Sequence, residues 1–230
     1  METLTLKQQE KIFKNILLNH FEKQGYIYFH EYQNSYFRKF ENDTTLEDFV
    51  IGGKTGSKIH NFVHRFAFLD IEDLIFEIGL PNIELNSYDR KKDFLFTVCN
   101  NHINLTYNTE ERPVQTEQDC IDYCQSIIAY METDGKAFVE KYSYLPNILE
   151  EIEENTKNGI NWSYGVFSGI TAPFFKGLII SKLCNDPKIE EKIKYVDWVY
   201  YPPEHKLQEF IPFYEKLKKR LKSVDPIYHV

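Results

Sequence analysis

At 230 residues, 42% hydrophobic and 27% charged, the chain is long enough to bury a full core and has the composition of neither a disordered nor a membrane-embedded protein. The formal net charge is −8 and it is unevenly spread: residues 41–110 carry 6 basic and 12 acidic side chains, and residues 111–156 carry 3 and 11. The resulting −14 over residues 41–156 argues against nucleic acid as the main partner, and no apolar run approaches the ~20 residues that cross a bilayer.

Thr5 and Gln8 fit a capping box at the start of a helix. Ile12, Phe13, Ile16, Leu17 and Phe21 then recur at helical spacing until Gly25, a natural stop. Residues 26–40 read as a hairpin with its turn at Gln33-Asn34-Ser35, residues 46–51 as a short strand, and residues 52–57 as a glycine-rich loop. The alternation over residues 60–68 predicts another strand, running into a helix over about 70–78 that Gly79 and Pro81 end. Residues 94–99 are apolar and unbroken, as in a central strand, and residues 104–109 are read as a strand beside it.

Beyond Pro113 the period changes. Thr116 caps a helix whose Cys120, Ile121, Cys124, Ile127, Ile128 and Met131 form one apolar stripe, and Asp134-Gly135 breaks it. Further helices are expected over about 136–142, 145–154, 173–184 and 187–196. The 173–184 segment is densely apolar, and a turn at Asn185-Asp186-Pro187 separates it from the charged amphipathic helix that follows. After Tyr200-Tyr201-Pro202-Pro203 comes a last amphipathic helix, whose basic run from Lys216 to Lys222 complements the negative end of the helix dipole and stays in water. Strands before residue 110 and helices after it imply an α+β fold. The expectation is an N-terminal helix and a mostly antiparallel sheet followed by a helical C-terminal half. It is read as one compact domain over residues 1–230, with 1–110 sheet-rich and 111–230 helical.

Few residue patterns carry chemistry. Gly53-Lys54-Thr55 matches the end of a phosphate-binding loop, but the first glycine of that motif is replaced by Asp48, whose charge repels phosphate. In Gly165-Val166-Phe167-Ser168-Gly169 the serine is not midway between the glycines, as a nucleophile elbow requires. His60 and His64, four apart on a strand, share a face, and with Asp70 or Glu72 they define the alternative reading of a metal-dependent hydrolase. Phe62, Phe66 and Phe68 on that same face favour histidines hydrogen-bonded in or beside a core. Cys120 and Cys124 read as buried, inert thiols, and Cys99 stands three residues before His102. The four cysteines lack metal-finger spacing and are expected reduced. The first ten residues lack the basic and apolar regions of a secretory leader, so the cytosol is the expected compartment.

The opening from the first helix through Gly25-Tyr26 to Tyr36-Phe37-Arg38 resembles small uncharacterised bacterial domains that begin helix, Gly-aromatic, strand. The stretch from Lys176 to Pro187 looks like helical segments of bacterial proteins of the toxin-immunity type. The resemblance implies a cytoplasmic binding protein that blocks a toxin by contact, with no catalytic residues and no cofactor. With the charge asymmetry it makes the expected function protein binding: an immunity-type inhibitor of a basic protein toxin, with no nucleic-acid or membrane partner. Glu150, Glu151, Glu153 and Glu154 are its densest acidic cluster and the expected contact residues.

Overall fold

The computed structural model describes residues 3–31, 34–53, 60–81, 96–100, 103–162, 164–167, 170 and 172–230, the side chains of Glu31 and His60 apart. Gln33, residues 54–57 of the glycine-rich loop, residues 94 and 95 of the expected central strand, His102 and the Ser168-Gly169 pair lie outside them. The fold is α+β: an N-terminal helix, a five-stranded antiparallel sheet and a helical C-terminal half. The chain divides into two compact units, Met1–Phe66 with Asn100–Lys141, and Ala67–Cys99 with Tyr142–Val230.

In the first unit, α1 (Leu6–Phe21) begins at the expected capping box: the Thr5 side chain accepts from the Gln8 amide, and the Gln8 side chain accepts from the Thr5 amide at 2.8 Å. A 3-10 turn follows and ends at Gly25, whose φ of 92° lies in the left-handed region that glycine enters without strain. Strands β1 (Ile27–Glu31), β2 (Asn34–Phe40) and β3 (Thr45–Gly53) pair in sequence, Ile27 opposite Arg38 and Asn34 opposite Gly52. Asn34 and Ser35, expected in the turn, are therefore ladder residues of β2. Strands β4 (His60–Phe68) and β5 (Val98–Asn100) complete the sheet in the order β1-β2-β3-β4-β5.

The period of two along β2 and β3 sends alternate side chains to opposite faces. Phe37, Phe49 and Ile51 enter a buried cluster with Phe13, Leu17 and Phe21 of α1. The same cluster takes Cys120, Tyr123, Cys124, Ile127 and Met131 from α3 (Glu117–Glu132). Neighbouring positions carry Asp48, fully buried, which accepts from Arg38 Nε at 3.2 Å and Arg65 Nε at 3.1 Å. Burial pushes the Arg38 guanidinium down to about 10, with Asp48 opposing that shift. Residues 104–109 form no strand; Ile103, Leu105 and Tyr107 still turn inward against the cluster, and Asn108 then accepts from the Glu110 amide at 2.9 Å to make a turn. Helix α4 (Asp134–Tyr142) follows α3 almost at once.

The second unit is built around α6 (Pro173–Leu183), whose residues from Phe174 to Ser181 are all buried. That stretch is buried on every side because helices surround it: α2 (Leu69–Ile78), α5 (Leu145–Lys157), α7 (Ile189–Tyr200) and α8 (Ile211–Leu221). Gly177 lets α6 pass close to the buried Trp162 ring, since a Cβ there would lie 3.0 Å from its Cε3. At the end of α8 the basic run is partly taken up inside the unit: Lys218 meets Glu215 at 2.8 Å and Arg220 donates to Glu77 at 3.1 Å. The expectation of a wholly solvated run is corrected to that extent. Among the described residues no helix is long and apolar enough to cross a membrane.

Candidate functional site

The acidic cluster sits on α5. Pro146 in its first turn suits the helix start, and Leu145, Ile148, Leu149 and Ile152 form the buried stripe. The four glutamates then divide by azimuth. Glu151 accepts from the Tyr142 hydroxyl and from the Val166 amide at 3.2 Å. Glu153 takes Lys188 at 2.6 Å and also Lys192, which in turn reaches Asp186. Burial works against the Glu153 carboxylate, but the hydrogen bonds from Lys188 and Lys192 outweigh it and lower its pKa. Glu150 and Glu154 are exposed, one turn apart, and neither has an ion-pair partner among the described residues. Like charges at this spacing repel by a few tenths of a kcal/mol, which a cationic partner relieves.

The same unit exposes an aromatic side chain that the sequence reading passed over. Trp198 on α7 is 61% exposed. It lies on the solvent stripe with Glu190 and Lys194, while Lys192, Val196, Val199 and Tyr200 turn inward. It stands within a row of rings: Trp162 to Tyr195 at 5.3 Å, Tyr195 to Trp198 at 6.1 Å, and Trp198 to His205 at 5.1 Å. The available signal was positional, because a tryptophan at i, i+4, i+8 with a glutamate and a lysine belongs to the polar face.

Of the histidine pair, the side chain of His60 lies outside the described residues. His64 is fully buried with both ring nitrogens engaged, Nδ1 with the Tyr130 hydroxyl at 3.1 Å and Nε2 with Glu47 Oε1 at 2.9 Å. Asn100 Nδ2 donates to that Tyr130 oxygen at 2.8 Å. A carboxylate can only accept, so Nε2 carries a proton and donates it to Glu47. Burial raises the Glu47 pKa, but His64 and Tyr26 outweigh it, so the group is held below its usual value as a carboxylate. Carboxylate, imidazole and hydroxyl stand in the order of a proton relay. The hydroxyl, however, belongs to buried Tyr130, and neither His64 nor Tyr130 lines the grooves of about 540 and 500 Å³ that the described residues of this unit form. The network ties α3 to β3, β4 and β5.

Asp70 and Glu72 belong to α2 in the other unit, Asp70 exposed and Glu72 fully buried. Glu72 Oε2 meets Lys176 Nζ at 2.9 Å, and Thr97 Oγ1 donates to Oε1 at 2.7 Å. Lys176 also donates to the Phe96 carbonyl at 2.5 Å. Burial pushes Glu72 up and Lys176 down, and the pair opposes both shifts. Among the described residues no group of three or more His, Cys, Asp or Glu side chains is placed to hold a metal ion.

The cysteines are all buried, none in a disulfide among the described residues. Burial pushes the Cys120 and Cys184 thiols up to about 12, away from the thiolate that reacts. No family model matches this chain, and no match was found among curated proteins or solved structures.

Proposed function

We propose that the chain is a non-enzymatic cytosolic protein that acts by binding a basic protein partner, in the manner of an immunity-type inhibitor of a toxin. The observation that carries this reading is the outward pair Glu150 and Glu154, exposed on α5 with no ion-pair partner among the described residues. Glu151 and Glu153 hold the second unit together, so the contact role narrows to two of the four glutamates. Exposed carboxylates speed capture of a cationic surface and pair with its Lys or Arg side chains. Exposed Trp198 supplies the aromatic type that dominates binding energy at protein interfaces.

The test is a quantitative affinity capture with wild-type bait and a Glu150→Lys/Glu154→Lys double variant, each at low and high salt. Both positions are exposed, so the variant keeps its fold, checked by circular dichroism. The expected result is a basic protein retained by wild type, released as salt rises, and missing from the variant. Equal retention by both baits, or retention indifferent to salt, would defeat the proposal.

A further inference from the structure

We infer that the second unit carries a groove that binds a small phosphate monoester with an apolar substituent. The groove lies between α7 and α8 with the end of α6 beside it, and its volume of about 440 Å³ is that of a small-molecule site. Ile189 and Ile193, four apart on α7 and half-buried, form an apolar floor with the buried Leu221 of α8. Around that floor stand Lys182 of α6 and Lys218, Lys219 and Lys222 along the end of α8, with Glu190 and Glu215 as carboxylates.

The charges do not cancel. Lys218 meets Glu215 at 2.8 Å and Asp197 at 3.3 Å, so its charge is matched within the unit. Lys182, Lys219 and Lys222 have no ion-pair partner among the described residues, which leaves three ammoniums against the carboxylate of Glu190. Lysines at helix ends often serve the last carbonyls. Here the chain serves them itself. The carbonyls of Ile180, Ser181, Lys182 and Leu183 accept from backbone amides of Cys184, Asp186, Asn185 and the Ile227-Tyr228 pair. Those of Arg220 and Leu221 accept from Ser223 and Val224. The ammoniums are therefore left over, and like charges gathered round an apolar floor attract an anion more strongly than the same charges dispersed. A carboxylate matches the flat fork of arginine, whereas several point donors suit a tetrahedral dianion. Arg220, the arginine of this basic run, turns instead to Glu77 at 3.1 Å. The isoleucines offer the organic part of an ester a surface that inorganic phosphate cannot use.

The experiment is an NMR titration of the isotope-labelled full chain with phenyl phosphate. Inorganic phosphate and benzoate, each lacking one half of the match, are titrated beside it. The expected result is saturable shifts at Ile189, Ile193 and Lys222, with phenyl phosphate bound several-fold more tightly than either control. Lys219→Glu/Lys222→Glu, at two exposed positions, weakens that binding about tenfold or more. Lys11→Glu/Lys23→Glu, an equal charge change at exposed positions of the first unit, leaves it unchanged. Should the first variant fail to fold, Lys222→Ala reads the same loss in smaller measure. Vesicles containing phosphatidic acid separate the two sources of such an ester. Sedimentation with them, reversed by phenyl phosphate, supports a lipid headgroup; protein left in the supernatant while phenyl phosphate binds supports a soluble ester. Absence of saturable binding would overturn the inference, as would benzoate or inorganic phosphate binding as tightly as the ester. Equal loss in both double variants, or undiminished binding in a folded Lys219→Glu/Lys222→Glu protein, would do the same.

Discussion

Lys176 and Glu72 meet where neither has any exposed surface, joined by Thr97 and the Phe96 carbonyl. An ion pair so placed adds little over two apolar residues, yet removing one member strands a charge in the core. Lys176→Met is expected to cost about 3–5 kcal/mol at neutral pH, read from urea unfolding. The sign of its pH dependence follows from Glu72, whose folded pKa is already raised. A carboxyl with a raised folded pKa binds its proton more readily folded than unfolded, so its penalty is absent below the unfolded value of about 4.3 and grows as pH rises. The deficit of Lys176→Met should therefore shrink as the pH is lowered towards about 5, and Glu72→Gln added to it should recover stability at pH 7. A deficit independent of pH would mean that Glu72 is not the group left stranded. Lys176 was visible in the sequence as a cation within a densely apolar stretch, but its partner lies over a hundred positions earlier, and no local pattern names it.

At the scale of elements, much of the fold was legible. Thr5 with Gln8 and Thr116 with Asp119 close capping boxes at α1 and α3, because capping is a contest among four adjacent residues. The buried stripe of α5 follows from its period in the same way. Residues 104–109 failed as a strand for an instructive reason: their alternation is real, since Ile103, Leu105 and Tyr107 pack against the core, but the chain turns at Asn108 without joining the ladder. Alternation reports which side is buried, and pairing has to be supplied by a neighbour. The candidate contact residues were legible as a cluster but not as a division, because whether Glu151 and Glu153 face inward depends on Tyr142, Val166, Lys188 and Lys192. Gly177 sets two element-level effects against each other. Alanine in a helix interior is favoured by about 1 kcal/mol over glycine. Here its Cβ would stand 3.0 and 3.2 Å from a Trp162 ring that is 1% exposed and hydrogen-bonded to Thr156 at 3.0 Å. Overpacking against a ring that cannot yield should win, so Gly177→Ala is expected to destabilise by about 1–3 kcal/mol; an increase in the urea midpoint would show that Trp162 moves aside.

For the molecule as a whole, each unit draws on two separated stretches of chain. α1 meets α3 across roughly a hundred residues, as does α2 with α6, so much of the core is made of contacts that close long loops. That is why composition and period gave the class of fold while the partners of individual residues stayed hidden. The buried cysteines acquire a use from this arrangement. Cys120 and Cys124 belong to the first unit, Cys99 and Cys184 to the second, and all four are buried. A thiol-reactive dye should leave every one of them untouched on the native protein and consume all four at once in strong denaturant, with the modified peptides counted by mass spectrometry. Rapid native modification of any one would show that its surroundings open readily. Between those limits, the order in which the two pairs vanish is a pair of stopwatches already sewn into the chain, one timing each unit, with no label to engineer.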